Sequence, residues 1–408
     1  MAGPSDKPPS IRHISLAYNK SESNDSAIRL VIALLPEWEQ SRDTIQLVHF
    51  TDGITNTLLK IVNKRPELSD HEVDKDAVLL RAYGEGTDVL IDRNREEASH
   101  SLLASRGLAP ALLARFNNGL LYRYIEGEVC TPADLRRPEI FQAVARRLAE
   151  WHAKLPISAI SSTEGDPFRE RANGATNGAE SLTPGKPVPN VWTVTEKWIA
   201  ALPATTSAQK SRRDTLQREL AWATKKLGNV PGINHQPFVF AHCDLLSGNV
   251  IIQPKKSIAT KEPSTTVSFI DYEYATPAPA AFDLANHFAE WGGFDCDFSV
   301  LPTKSQRRDF LRTYLLSYNS HLSPSKQLDV EQALEQLSNE VDAFRGIPGL
   351  YWGTWALIQA TISQIEFDYA SYAEIRLGEY WAWKAEAEGT RPASDEMPLR
   401  ERRWAQVE

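Results

Sequence analysis

Residues Phe238–Ile252 read FVFAHCDLLSGNVII, and after a polar interval Val267–Ala275 read VSFIDYEYA. The first stretch sets His242, Asp244 and Asn249 on a loop between two apolar runs. The second ends an apolar run at Asp271. Transfer of a phosphoryl group to a hydroxyl needs a carboxylate to accept the proton of the attacking oxygen, and oxygen ligands that hold Mg²⁺ across the nucleotide phosphates. Asp244 is suited to the first task, and Asn249 and Asp271 to the second. Turn chemistry alone explains an Asp and an Asn in such a loop, but it does not ask for a second Asp behind an apolar strand.

The rest of the chain sets bounds on this reading. With 408 residues and 42% hydrophobic content, it can bury the core of one large domain or two lobes. A net charge of −8, with no basic stripe, argues against nucleic-acid binding and points to small-molecule partners. Cys130, Cys243 and Cys296 lie far apart, with neither a CxxC pair nor a disulfide framework, which fits a reducing compartment. No run nears the roughly 18 apolar residues of a membrane span. Leu30–Leu35 comes nearest and stops at Pro36. The first ten residues lack the apolar core of a secretory signal, so the cytosol is expected.

Along the chain, Ala27–Trp38 reads as a helix closed by Pro36, and Thr44–Phe50 and Leu58–Val62 as strands joined by TDGITNT. Ala77–Ala82 reads as a third strand, 92–105 as a helix and Gly119–Ile125 as a further strand. Beyond them helical periodicity dominates, as in Ile140, Val144, Leu148 and Trp151, and again in Leu311, Leu315 and Tyr318. Lys255–Thr266 reads as a hairpin connection.

Five stretches together resemble the choline/ethanolamine kinase family, and its ethanolamine branch most. They are VLLRAYG, FNNGLLYRYIEG, HCDLLSGNVI, FIDYEYATPAPAAFDLANHFAEW and YWGTWALIQATISQIEFDY. The resemblance runs from about Leu34 to about Trp383. It implies an α+β, two-lobed protein-kinase-like fold that uses ATP and Mg²⁺ to phosphorylate ethanolamine to phosphoethanolamine, the first step of phosphatidylethanolamine synthesis. On this reading residues 1–25 are a disordered tail and 26–120 a β-rich nucleotide-binding lobe. Residues 121–388 are a mostly helical catalytic and substrate lobe with a flexible insertion at 161–190, and 389–408 are a second tail.

Carried over by position, the resemblance makes Asp244 the base and Asn249 and Asp271 the metal ligands. It makes Arg81 the cation on the nucleotide phosphates, with Glu96 as its partner. Gly53, Thr55 and Asn56 fall in the phosphate-covering turn, and Arg123 and Ile125 in the hinge strand whose backbone meets the adenine. It places a substrate-facing carboxylate at Glu290 and an aromatic cage at Trp352, Trp355, Phe367, Tyr369 and Tyr372. Aromatics at helical spacing also occur in ordinary cores, and cation–π contacts of roughly 0.5–2 kcal/mol each make them useful around an ammonium group. Asp283 and Asn286 read as loop-organising groups, and His152 and His287 as structural histidines.

One residue departs from the family pattern: Cys243 stands where HND is usual. Altered loop packing with retained chemistry is expected, and an inactive pseudokinase scaffold is the alternative. A ring cage accepts both primary and quaternary ammonium, so choline or dual specificity stays open, as does an aminoglycoside-type phosphotransferase. The sequence leaves a homodimer open as well.

Overall fold

The computed structural model describes residues 11–50, 56–84, 86–159, 186–254, 265–363, 365–392 and 396–408. The chain divides into two units, Met1–Glu128 and Val129–Glu408.

In the first unit, strands β1 (His13–Ile14), β2 (Ile45–Phe50), β3 (Asn56–Asn63), β4 (Val78–Tyr83), β5 (Leu112–Phe116) and β6 (Gly119–Arg123) form one sheet in the order β1-β5-β6-β4-β3-β2. The β1–β5 pairing is parallel and the others are antiparallel. Helix α1 (Ser23–Leu34) lays Ala27, Leu30, Val31 and Leu34 against Leu59, Ile61, Val78 and Leu80 of the sheet. Pro36 does end that helix, but Trp38, read as its last residue, is buried in a 3₁₀ segment over Pro36–Thr44. The short helix α2 (Asp70–Asp76) opens with a capping box formed by Ser69 and Glu72. Helix α3 (Arg93–Ser105) is capped by Asp92, whose carboxylate accepts from the backbone N–H groups of Asn94 and Arg95.

The expected N-terminal tail needs correction, because much of 11–25 belongs to the fold. Ile14 and Tyr18 are buried, and the Asn118 side chain accepts from the N–H of Tyr18 and donates to its carbonyl.

The second unit contains α4 (Pro138–Lys154), α5 (Val191–Ala201), α6 (Ser207–Leu227), α7 (Ala280–Ala289), α8 (Lys304–Ser320), α9 (Val330–Phe344), α10 (Ile347–Ile362), α11 (Tyr369–Glu388) and α12 (Leu399–Ala405). The two-residue strand β7 (Glu128–Val129) marks the division between the units. Four short strands follow: β8 (Val239–Ala241), β9 (Val250–Ile252), β10 (Val267–Phe269) and β11 (Thr276–Ala278). β9 pairs antiparallel with β10, and β8 with β11. Most of the connection between β9 and β10, and of the insertion at 161–190, lies outside the described residues.

Helices α10 and α11 pack with their backbones unusually close. A Cβ on Gly349 would collide with the Arg376 carbonyl, and one on Gly353 would sit 2.7 Å from Leu377 Cγ. Residues 389–408 also need correction. Arg400, Glu401 and Trp404 of α12 are buried, and the Arg307 guanidinium lies 3.8 Å over the Trp404 ring. The charged face of this short helix is hidden by ion pairs that local sequence does not reveal.

Candidate active site

The loop between β8 and β9 takes its shape from one helix. Asp283, Asn286 and His287 stand at i, i+3 and i+4 on α7, hence on one face. Asp283 accepts from the backbone N–H of His242 at 2.9 Å and of Cys243 at 2.8 Å. Asn286 donates to the Cys243 carbonyl at 2.9 Å, and His287 Nδ1 lies 2.8 Å from the Leu245 carbonyl. Asp283 also holds His152 Nε2 at 3.0 Å, and His152 Nδ1 reaches the Tyr314 hydroxyl at 2.7 Å. Asp283 and Asn286 thus organise the loop as expected, and His152 and His287 are the satisfied structural histidines expected of them.

His242 is fully buried. Its Nδ1 accepts from the N–H of Asp244 at 3.3 Å and its Nε2 faces the Ile270 carbonyl at 3.1 Å, an arrangement satisfied by a neutral ring protonated on Nε2. Burial pushes its pKa down to about 4, and that of His287 likewise. Burial also works to raise the Asp283 carboxyl, but the His152 bond and the other contacts outweigh it and hold that group below the usual carboxylate range.

The loop presents Asp244. Asn249 Nδ2 donates to its carbonyl at 2.7 Å and to its carboxylate at 3.1 Å, so the amide oxygen is the atom Asn249 can offer a cation. The N–H of Ile270 bonds to the Asn249 carbonyl at 3.0 Å, and Asp271 follows with φ +62°. The carboxyl of Asp244 sits well above its ordinary pKa, through burial first and then through the charges of Asp271, Glu290 and Glu273. An excess of facing carboxylates calls for a cation, and amide and carboxylate oxygens without thiolate or imidazole suit a hard one. Among the described residues no three His, Cys, Asp or Glu form a metal cage. Mg²⁺ does not need one, since it keeps waters and phosphate oxygens in its shell.

Cys243 adopts φ +64°, where Asn is common and Cys is not. The loop nevertheless keeps its backbone bonds, because Asp283 and Asn286 hold the main chain of this residue and not its side chain.

Beside the loop runs a wall of rings. Trp352 meets Trp355 at 5.5 Å between centroids, Trp355 meets Tyr369 at 5.7 Å, Tyr369 meets Phe367 at 4.8 Å and Phe367 meets Tyr372 at 5.6 Å. The Trp352 indole donates to Asn286 at 2.8 Å and that of Trp355 to the Tyr274 hydroxyl at 2.8 Å. All five expected cage residues therefore join one wall; Phe367 is its exposed rim and the other four are buried.

Two residues of this region went unread in the sequence. Phe294 meets Phe367 at 6.0 Å, and Arg376 lies 2.9 Å from Glu290. Burial raises the Glu290 carboxyl, and Arg376 partly offsets that. Phe294 carries no helical period, and nothing local marks Arg376 as buried.

In the first unit, Arg81 lies 3.1 Å from Glu96, which also faces Arg93 at 3.0 Å, with Arg81 and Glu96 buried. Glu97 instead meets Arg115 at the surface. Asn56 opens β3 opposite Tyr83, while Gly53 and Thr55 lie outside the described residues. The hinge reading narrows: the N–H of Arg123 bonds to Ala111 and its guanidinium to the Asp76 carbonyl, and the N–H of Tyr124 bonds to Ala77. Of the two hinge residues named, Arg123 therefore commits its N–H and its guanidinium to bonds within this unit.

Residues 47–381 match the family model described as choline/ethanolamine kinase. Ethanolamine kinase 1 of Mus musculus is 33% identical over 372 residues, covering 89% of this chain and 90% of the mouse protein. Among solved structures, an ethanolamine kinase of Plasmodium vivax superposes with TM-score 0.67 at 23% identity, covering 89% of each chain. A choline kinase of Cryptosporidium parvum superposes with TM-score 0.61 at 20% identity, covering 90% of this chain and 98% of the other. At such identities the superpositions speak for the fold, which is the two-lobed kinase-like architecture. No helix among the described residues is long and apolar enough to cross a membrane.

Proposed function

The chain belongs to the choline/ethanolamine kinase family, and from that premise we propose how its own residues carry a phosphoryl group from ATP to ethanolamine. The enzyme acts on ethanolamine, the substrate in the names of the relatives that match most of its length. Phosphoethanolamine is the product, and it feeds phosphatidylethanolamine synthesis.

Asp244 accepts the hydroxyl proton as the substrate oxygen attacks the γ-phosphoryl group. Asn249 holds that carboxylate in place through its amide nitrogen, which fixes the direction of attack. Asn249 Oδ1 and Asp271 are the groups that would hold Mg²⁺. The cation, when bound, neutralises charge on the phosphates. Arg81, paired with Glu96, supplies the side-chain cation for the phosphates. The ammonium end of the substrate meets Glu290 and the ring wall. There a primary amine donates hydrogen bonds that a quaternary one cannot, which favours ethanolamine over choline. Three free, buried cysteines support a cytoplasmic setting.

The observation that carries this reading is Asp244 itself, bonded to Asn249 and facing the charge of Asp271 at the end of a β-hairpin. Asp244→Ala is expected to abolish turnover of ethanolamine while ATP still binds. Near-normal turnover in that variant would remove Asp244 from the mechanism. Competing ethanolamine, choline and an aminoglycoside in one ATP-consumption assay tests the acceptor, and preference for the aminoglycoside would overturn the substrate assignment.

A further inference from the structure

Behind Glu290 runs a line of alternating charges. Arg376 lies 2.9 Å from Glu290 and 3.4 Å from Glu379. Arg400 lies 3.4 Å from Glu379 and 3.5 Å from Glu401, and Glu401 meets Arg345 at 2.7 Å. All of these but Arg345 are buried. The line therefore leads from the ring wall to helix α12. That helix lies beyond residues 47–381, the part matched by the family model.

Buried ions gain little from water, so each side chain moves toward whichever opposite charge is least compensated. Arg376 stands between two carboxylates and is nearer to Glu290. That choice depends on Arg400, which answers part of the charge on Glu379. Take Arg400 away, and Arg376 is the cation left to Glu379 among the described residues. The guanidinium is drawn toward it, and Glu290, buried and unpaired, takes up a proton in place of presenting a carboxylate to the ammonium group.

We propose that helix α12 is a positioning element of the amino-alcohol site, with Arg400 sharing the charge of Glu379 and so leaving Arg376 on Glu290. This rests on the reading of Glu290 as the substrate's carboxylate. Arg400 touches no reacting atom, so its effect falls on one substrate only and is reversed by removing the charge it balances.

The test is steady-state kinetics on the full chain. Arg400→Met is expected to raise KM for ethanolamine about tenfold with KM for ATP within about twofold, the pattern of lost ground-state binding at one site. Arg400→Lys keeps the charge and should recover most of the loss. The double variant Arg400→Met with Glu379→Gln should return KM for ethanolamine toward the unaltered value, which a merely structural role for Arg400 does not predict. Unchanged KM for ethanolamine in folded Arg400→Met, or equal rises for both substrates, overturns the proposal.

Glu290→Gln separates the two levels: if it leaves KM for ethanolamine unchanged, the underlying reading of Glu290 fails. If Glu290→Gln raises that KM and Arg400→Met does not, only the role of α12 fails. Should Arg400→Met not fold, the unaltered protein decides by reciprocity. Saturating ethanolamine should slow hydrogen exchange in 399–405, and no change there overturns the proposal.

Discussion

The Asn286 side chain bonds both to the loop bearing Asp244 and to the ring wall, so replacing it tests both at once. Asn286→Leu keeps the volume and removes two buried bonds, to the Cys243 carbonyl at 2.9 Å and from the Trp352 indole at 2.8 Å. Each partner then loses this buried bond, at about 1–3 kcal/mol apiece, or about 2–5 kcal/mol together after some relaxation. Urea unfolding followed by tryptophan fluorescence measures that loss. Kinetics should show kcat lowered and KM for ethanolamine raised, with KM for ATP unchanged. Asn286→Asp separates the two bonds: it keeps an acceptor for Trp352 and sets an oxygen against the Cys243 carbonyl, so kcat should fall with KM for ethanolamine nearly kept. A loss below about 1 kcal/mol for Asn286→Leu, with Asn286→Asp kinetically silent, would refute the claim that this amide ties the loop to the wall.

Three further outcomes are expected. Cys243→Asn should retain activity and raise stability by up to about 1 kcal/mol in thermal unfolding, because Asn tolerates the left-handed backbone that Cys243 adopts at φ +64°; lost turnover would mean that the thiol itself is required. Glu96→Gln leaves the buried Arg81 without its carboxylate at 3.1 Å, and should raise KM for ATP more than KM for ethanolamine at a stability cost of about 3–5 kcal/mol; the opposite split of KM values would refute the assignment. His100, His242 and His287 have folded pKa values of about 4, below the 6.5 of a free side chain. The unfolded chain therefore takes up protons first, and the stability these rings contribute is whole above about pH 6.5 and lost as pH falls toward 4, at up to about 1.4 kcal/mol per unit for each. Their imidazole NMR signals should stay unshifted from pH 7 to 5.5, and a midpoint near 6.5 for any of them would refute its burial as a neutral ring.

The loop from His242 to Asn249 was legible because its pattern is local: polar residues at fixed spacing between two short apolar runs. The strand that carries Arg81 and the helix that carries Glu96 were legible for the same reason, since each is long enough to show a period or a cap. What escaped depends on partners distant in sequence. Arg376 reads as one more charge on a helix until Glu290 and Glu379 are brought to it. LRERRWA reads as solvated until Glu379 and Arg345 meet its charges. β1 is two residues long, and only its parallel register with β5 makes it a strand. β5, just beyond Pro110, was not read as a strand, and its pairing with β1 and β6 is what makes it one.

The close approach at Gly349 and Gly353 bears on what else this site could learn to accept. Trp352 and Trp355 ride on one helix of that joint, and Tyr369 and Tyr372 on the other. Two rods touching backbone to backbone leave no slack for sliding apart, and any side chain added at the seam wedges them. The spacing of the rings is thus a fixed gauge, and on the function proposed above a bulkier acceptor is admitted by trimming an aromatic group but not by letting the helices breathe.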